Sequence, residues 1–178
     1  MTTPNASGRI DERVSAAGGR VERVRLGALH EGIAAARRDG GDVVFAGEPW
    51  KHIHPHFGPW IDGVASAALL SILVADRSLE ALRAPVSERP YRKVSVDCPD
   101  DLKVGTMDRV AVQLPREFPE ADVNTDYGVR LNFDDGSWAL VRPSGTEPYV
   151  RVYAESDDVD GLVETVVEYV ERAVADGR

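Results

Sequence analysis

Residues 128–155 read GVRLNFDDGSWALVRPSGTEPYVRVYAE, and how this stretch divides decides the fold of the second half of the chain. Val129, Leu131 and Phe133 alternate with Arg130 and Asn132, the period of a half-buried strand. Asp134-Asp135-Gly136 is turn chemistry, and 137–141 (SWALV) is a return strand, so the segment predicts a hairpin. Residues 149–154 (YVRVYA) predict one more strand. The connection between the last two strands is Arg142-Pro143-Ser144-Gly145-Thr146-Glu147-Pro148.

That connection has the chemistry of an anion site. A phosphate monoester needs several donors converging on its oxygens. Arg142 offers a planar, permanently charged fork that matches two of them. Ser144 and Thr146 each carry a hydroxyl donor. Gly145 lets a ligand come close to the backbone and turns its N–H toward an anion. Arg151 adds a second guanidinium. The bland alternative is a tight hairpin with a solvated arginine, but the whole string R-P-S-G-T-E-P-x-x-R-V-Y-A-E is far more specific than a bare Ser-Gly-Thr.

Working outward, 94–98 (VSVDC) predicts a strand stopped by Pro99, and a helix is expected around 105–114. A last helix over 159–175 places Leu162, Val166, Val167 and Val170 on one face. Residues 91–178 therefore predict an α+β unit, antiparallel strands packed against two helices. Residues 79–90 (LEALRAPVSERP), with two prolines and several charges, read as a linker.

Residues 1–78 read as a partial α/β layer. Positions 1–8 are polar and expected to fray. Ile10, Val14 and Ala17 share a helical face, and Gly18-Gly19 stops that helix. Val21, Val24 and Leu26 predict a strand, 29–38 a helix, and 42–46 (DVVFA) a buried strand. Asp62 is placed to cap a helix over 64–76. Two strands are few for such a layer, so an unpaired apolar edge is expected at 21–26.

The loop between these elements, 47–60, reads GEPWKHIHPHFGPW. His52, His54 and His56 alternate as ligands on a strand do, but Pro55 and Pro59 argue against a regular strand, and no cysteine or set of carboxylates accompanies them. Trp50 and Trp60 suit stacking on a ligand, but burial in a core is the more frequent role of such residues.

The chain has 178 residues, 43% hydrophobic, with a formal net charge of −9. Lysine stands only at 51, 93 and 103. An acidic surface repels a nucleic-acid backbone, so nucleic acid is not an expected partner. The longest apolar run, 64–75, is interrupted by Ser66 and Ser71 and is too short to span a bilayer. No signal-peptide pattern is present, and a cytoplasmic location is expected. Cys98 is the only cysteine, which excludes an internal disulfide and a cysteine metal cluster.

With these residues in view, 142–155 resembles the C-terminal phosphate loop of the α-D-phosphohexomutases, the phosphoglucomutases and phosphomannomutases among them. The lead-in 135–141 (DGSWALV) is similar as well. The resemblance covers roughly residue 10 to the end: the end of the third domain, over 1–78, and the fourth domain, over 91–178. The acidic, arginine-rich composition suits a haloarchaeal member and an acidic mesophilic one equally. By this resemblance Arg142, Ser144, Gly145 and Thr146, with Arg151, bind the substrate phosphate that is not being transferred. Gly47, Glu48 and His52 match the family's sugar-recognition loop, while Trp50 and Lys51 depart from it. Glu48 is then the acceptor for sugar hydroxyls, and His52 helps to place the sugar.

The resemblance also implies hexose phosphate as ligand and magnesium as cofactor. The family's magnesium loop, Asp-x-Asp-x-Asp-Arg, and its phosphoserine setting, Ser-His-Asn-Pro, do not occur in this sequence. No catalytic residue is therefore assigned. The expected function is that of a phosphohexose mutase fragment, with phosphoryl transfer between the 1- and 6-positions as the full reaction. A separate chain carrying the missing domains, or self-association, completes that picture. The alternatives are a non-catalytic sugar-phosphate-binding module and an inactive remnant.

Overall fold

The computed structural model describes Met1 to Arg178 and divides into two compact units, Met1–Glu88 and Arg89–Arg178. The first contains helices α1 (Arg9–Ala16) and α2 (Leu29–Arg38), strands β1 (Ala46–Glu48) and β2 (Lys51–Ile53), and helices α3 (Gly63–Asp76) and α4 (Leu79–Arg83). The second contains β3 (Tyr91–Asp97), α5 (Lys103–Glu117), β4 (Asp122–Asn124), β5 (Val129–Asn132), β6 (Trp138–Pro143), β7 (Tyr149–Glu155) and α6 (Val159–Ala175).

The second unit is the antiparallel α+β layer that its sequence predicts. Five strands run in the order β3-β7-β6-β5-β4, every neighbouring pair antiparallel. Side chains alternate across a sheet, so Val129, Leu131, Ala139, Val141, Val150, Val152 and Ala154 share one face. They pack against Val110 and Leu114 of α5 and Val163, Val166 and Val170 of α6 as a single core. The opposite face carries a smaller cluster of Trp138, Leu140 and Tyr153. There the Trp138 indole N–H donates to Glu155 at 2.8 Å, and the Arg130 guanidinium lies 4.1 Å from the indole centroid. Two glycines set the chain's path. Gly136 turns the β5–β6 hairpin at φ +83°, and at Gly128 (φ +118°) a Cβ would stand 2.4 Å from the Val141 carbonyl oxygen. The short edge strand β4 has no clear signal in its exposed sequence, DVN. Leu162 and Val167 are only partly buried on α6, whose deepest positions are Val166, Val170 and Ala173.

The first unit differs from expectation at its amino end. Residues 1–8 do not fray, and 21–26 and 42–46 do not pair as two regular strands. Thr2 instead forms a parallel bridge with Arg23: its N–H donates to Glu22 (2.8 Å), and Val24 N–H donates to its carbonyl (2.9 Å). On the other side the Met1 ammonium donates to the Phe45 carbonyl (2.9 Å), and Gly47 N–H donates to Met1 (3.1 Å). Residues 1–2 thus stand between the two segments and satisfy backbone groups on both, which burial requires. Thr2 and Thr3 are buried, their hydroxyls donating to Gly47 and Asn5. Burial also holds the Met1 ammonium below its ordinary pKa. The polar letters hid a segment in which both threonine hydroxyls find acceptors.

The expected apolar edge at 21–26 is therefore paired, and the exposed apolar surface lies elsewhere. Val64, Leu70, Ile72 and Leu73 of α3 are each half or more exposed, and no residue of that helix is buried. Its sequence, GVASAALLSILVAD, is apolar on every side, the pattern of a helix meant to be covered. The Asp62 cap accepts from Ala65 N–H at 2.8 Å. Within the stretch read as a linker, α4 forms a short helix capped by Ser78. No helix is long and apolar enough to cross a membrane.

The pairing of residues 1–2 predicts a hydrogen-exchange pattern. The Val24 and Gly47 amides, which donate to Thr2 and Met1, will exchange much more slowly than the amide of exposed Val44. Equal fast exchange at all three would show that 1–2 do not hold this position.

Candidate functional site

The phosphate-type loop is short because its two strands are tightly registered. Arg142 faces Arg151 and Pro143 faces Val150 across β6 and β7. Ser144 N–H then donates to the Tyr149 carbonyl (3.0 Å), and Tyr149 N–H to that of Glu147 (2.8 Å). The turn projects Gly145, Thr146 and Glu147 into solvent while Ser144 stays buried. Gly145 has no left-handed φ, and a Cβ placed on it meets nothing within 4 Å. Its lack of a side chain leaves open space above the backbone rather than relieving strain.

The two arginines have different settings. Arg142 donates only to the Pro143 carbonyl, at 3.2 Å, and its guanidinium stands 5.9 Å from the Tyr153 ring centroid. Arg151 donates to the Tyr149 hydroxyl (2.8 Å) and the Glu147 carboxylate (3.1 Å), and lies over the Tyr149 ring. The Nε atoms of both are buried without an acceptor, so the hydrogen-bonding capacity open to solvent lies on their terminal nitrogens.

Lys103, at the start of α5, was not singled out in the sequence. Its ammonium has three N–H bonds and three partners: the carbonyls of Ser144 (2.8 Å) and Glu147 (2.6 Å) and the carboxylate of Asp100 (2.6 Å). The signal available was thin: a rare lysine in an arginine-rich chain, three residues after an aspartate. Cys98 N–H donates to the Pro148 carbonyl (2.9 Å) and secures the far end of the loop. The Cys98 thiol itself is buried, just past β3.

In the first unit, β1 and β2 form a hairpin with Glu48 opposite Lys51 and Gly47 opposite His52. Glu48 is held from two sides, accepting from Gly27 N–H (2.8 Å) and lying 3.5 Å from the Lys51 ammonium. Gly27 reaches it with φ +82°. A pocket of about 200 Å³ is lined by these residues together with Leu29, Trp60 and Ile61. His52 is not part of it. Strand alternation puts His52 on the other face of the hairpin from Glu48, where its Nδ1 is 3.1 Å from the Ser66 hydroxyl and its ring is near Phe45. Glu48 and His52, the two residues expected at the sugar, thus stand on opposite faces of the hairpin. His54 also reaches Ser66 (2.7 Å), while His56 pairs with Asp42. Neither Trp50 nor Trp60 is buried: Trp50 is 92% exposed at the hairpin tip, and Trp60 lines the pocket.

The resemblance implies magnesium, but the side chains here do not fit it. No group of three or more His, Cys, Asp or Glu residues converges to hold an ion, and Asp134 and Asp135 belong to the β5–β6 turn, where Asp135 accepts from Ser137.

Glu147 offers a measurable test of the loop's electrostatics. The Tyr149 hydroxyl first, and then Arg151, hold its carboxyl below the ordinary carboxylate value. Because the folded value is depressed, this contribution to stability is present above the unfolded pKa of 4.5 and is lost as pH falls through the folded value. Tyr149→Phe should move the Glu147 titration upward, as followed by NMR of the carboxyl carbon. An unchanged midpoint would mean that the hydroxyl does not hold the carboxylate.

Comparison with known proteins now places the chain. The family described as phosphoglucomutase/phosphomannomutase, C-terminal domain, matches residues 95–173. A protein named phosphopentomutase from Thermococcus kodakarensis is 40% identical over 172 residues, covering 93% of this chain and 37% of the relative. A probable phosphoglucosamine mutase from Methanopyrus kandleri is 41% identical, covering 94% and 36%. The chain thus spans little more than a third of the length of these relatives. A phosphoglucomutase/phosphomannomutase family protein from Burkholderia thailandensis superposes with a TM-score of 0.73 at 21% identity, over 99% of this chain and 37% of that one. Parafusin, a phosphoglucomutase from Paramecium, does so at 0.71 and 16%, over 99% and 38%; at these identities the likeness is one of fold. Residues 95–173 thus belong to the phosphoglucomutase/phosphomannomutase family as its C-terminal domain, and the chain as a whole is similar to about a third of these longer relatives.

Proposed function

We propose that this chain is the sugar-phosphate-gripping part of a phosphohexose mutase. In this reading Arg142, Ser144, Gly145 and Thr146, with Arg151, bind the phosphate of a hexose phosphate, and Glu48 accepts hydrogen bonds from sugar hydroxyls in the pocket it shares with Lys51 and Trp60. The observation that carries it is the facing pair Arg142 and Arg151 at the base of a turn that exposes Gly145 and Thr146. A phosphate dianion matches such a set because forked guanidinium donors and hydroxyls converge on its oxygens. His52, braced by the Ser66 hydroxyl, helps to place the sugar.

The full reaction, phosphoryl transfer between the 1- and 6-positions, also needs a nucleophile and charge neutralisation. We assign those to the remainder of a full-length mutase, either continuous with this chain or on a separate one. The same remainder is the proposed cover for α3, with self-association as the competing outcome and the cytoplasm as the setting. The residues of this chain do not fit magnesium. A pentose phosphate is the second reading of the substrate, favoured by the name of the relative from Thermococcus kodakarensis. A binding module without turnover is the competing reading of the activity. Recombining the chain with the missing domains and assaying mutase turnover separates it from an enzyme part.

Arg142→Ala should weaken hexose-phosphate binding by about 2–3 kcal/mol, the loss of a charge-assisted fork. Calorimetric titration giving equal affinity for the variant and the parent would remove the loop from the site. Glu48→Gln should erode the preference between sugar epimers more than it weakens binding of inorganic phosphate, because a fixed acceptor rejects a misplaced donor. If both decline together in the same titrations, Glu48 serves the hairpin and not the sugar.

A further inference from the structure

We propose that Lys103 is the positioning residue of the phosphate loop: its ammonium draws the loop's carbonyls inward so that the loop's donors face an incoming phosphate. The inference rests on the phosphate-site reading above and deepens it by assigning the device that pre-organises the site.

A loop that binds an anion through its backbone has to solve an orientation problem. Every peptide unit carries a donor and an acceptor on opposite sides, and an acceptor turned toward a phosphate repels it. Lys103 addresses this at two peptide units. Its Nζ donates to the Ser144 carbonyl at 2.8 Å and to the Glu147 carbonyl at 2.6 Å. In a trans peptide the N–H of Gly145 points opposite to the carbonyl of Ser144, so holding that oxygen on Lys103 turns the Gly145 N–H away from Lys103. The second carbonyl precedes Pro148, which has no N–H, so no donor is misdirected there. Gly145 is exposed and has open space where a Cβ would be, so a phosphate oxygen can approach its N–H.

The third N–H of Lys103 goes to Asp100 at 2.6 Å. All three donors of the ammonium are therefore used, and its side chain is only 12% exposed. This leaves the lysine nothing with which to contact a ligand, which distinguishes a positioning residue from a binding one. The charge still acts, because a cation bound to a carbonyl polarises the adjoining N–H and strengthens its bond to an anion. A merely structural tie would stabilise the loop without setting the direction of the Gly145 N–H, and this difference is what the experiment reads.

Inorganic phosphate is titrated into the 178-residue chain and into its K103M and R142A variants, following the Gly145 and Thr146 amides by two-dimensional NMR. The expected result is a saturable shift of the Gly145 amide in the parent. In K103M that response should be lost and phosphate binding weakened about tenfold or more, the loss of one well-placed charge-assisted contact. Binding by K103M within about twofold of the parent, while R142A no longer binds, overturns the role of Lys103 and leaves the phosphate site standing. Parent-like binding by both variants refutes the phosphate-site reading, and this inference falls with it. Should K103M fail to fold, K103R carries the test, since it keeps the charge but cannot direct three N–H bonds from one nitrogen. A several-fold loss is then expected, and parental affinity overturns the proposal.

Discussion

Two permanent cations held side by side form the constraint around which the second unit is arranged. Register places Arg142 directly opposite Arg151 on neighbouring strands, a pairing of like charges that disfavours the sheet. The surroundings soften it without cancelling it. Glu147 and the Tyr149 hydroxyl share the Arg151 guanidinium, and the Tyr149 and Tyr153 rings lie beside the two arginines. Arg142 has no carboxylate partner of its own. In a chain with a net charge of −9, such a concentration of positive charge is local, and it sits beside the one loop in which serine, glycine and threonine occur together between strands.

The rigidity of that pair comes from the sheet and its core. β6 and β7 are central strands whose other face is closed by α5 and α6 around Val141, Val150, Val152 and Val166. A displacement of either arginine would break a ladder with fully buried side chains beneath it. The loop is anchored just as firmly, by Lys103 at two carbonyls and by Cys98 at a third. Its exposed tip is thereby the end of a stiff element and not a free loop, which is the condition for a precise anion site.

The first unit is organised by backbone satisfaction more than by a core. Its buried apolar cluster is small: Leu29, Ile33, Val43, Ala46 and Ile53. Met1 and Thr2 link the segment around Val24 to the one around Phe45, and Gly27 and Lys51 hold Glu48 in place. Against this economy stands α3, a mostly apolar helix with no buried residue. A helix of that composition gains its free energy from being covered, so the exposed face is where this unit makes its strongest demand for further protein.

Where periodicity and local chemistry decide, the sequence was sufficient. The β5–β6 hairpin, β7, the limits of α2 and α6, the Asp62 cap and the antiparallel second unit all follow from alternation, turn residues and capping within a few positions of one another. The chemistry proposed for residues 142–151 could be read for the same reason: its donors are neighbours in the chain. What only the tertiary structure decided depends on groups distant in sequence. Thr2 bridges Arg23, Gly27 meets Glu48, and Lys103 grips a loop some forty positions away. The separation of Glu48 from His52 depended on a register that a two-residue hairpin turn imposes and that their spacing alone does not reveal. Short polar segments such as residues 1–3 and the edge strand β4 carry no hydrophobic period, so their placement was set by which backbone groups lacked partners, a quantity that exists only once the chain has folded.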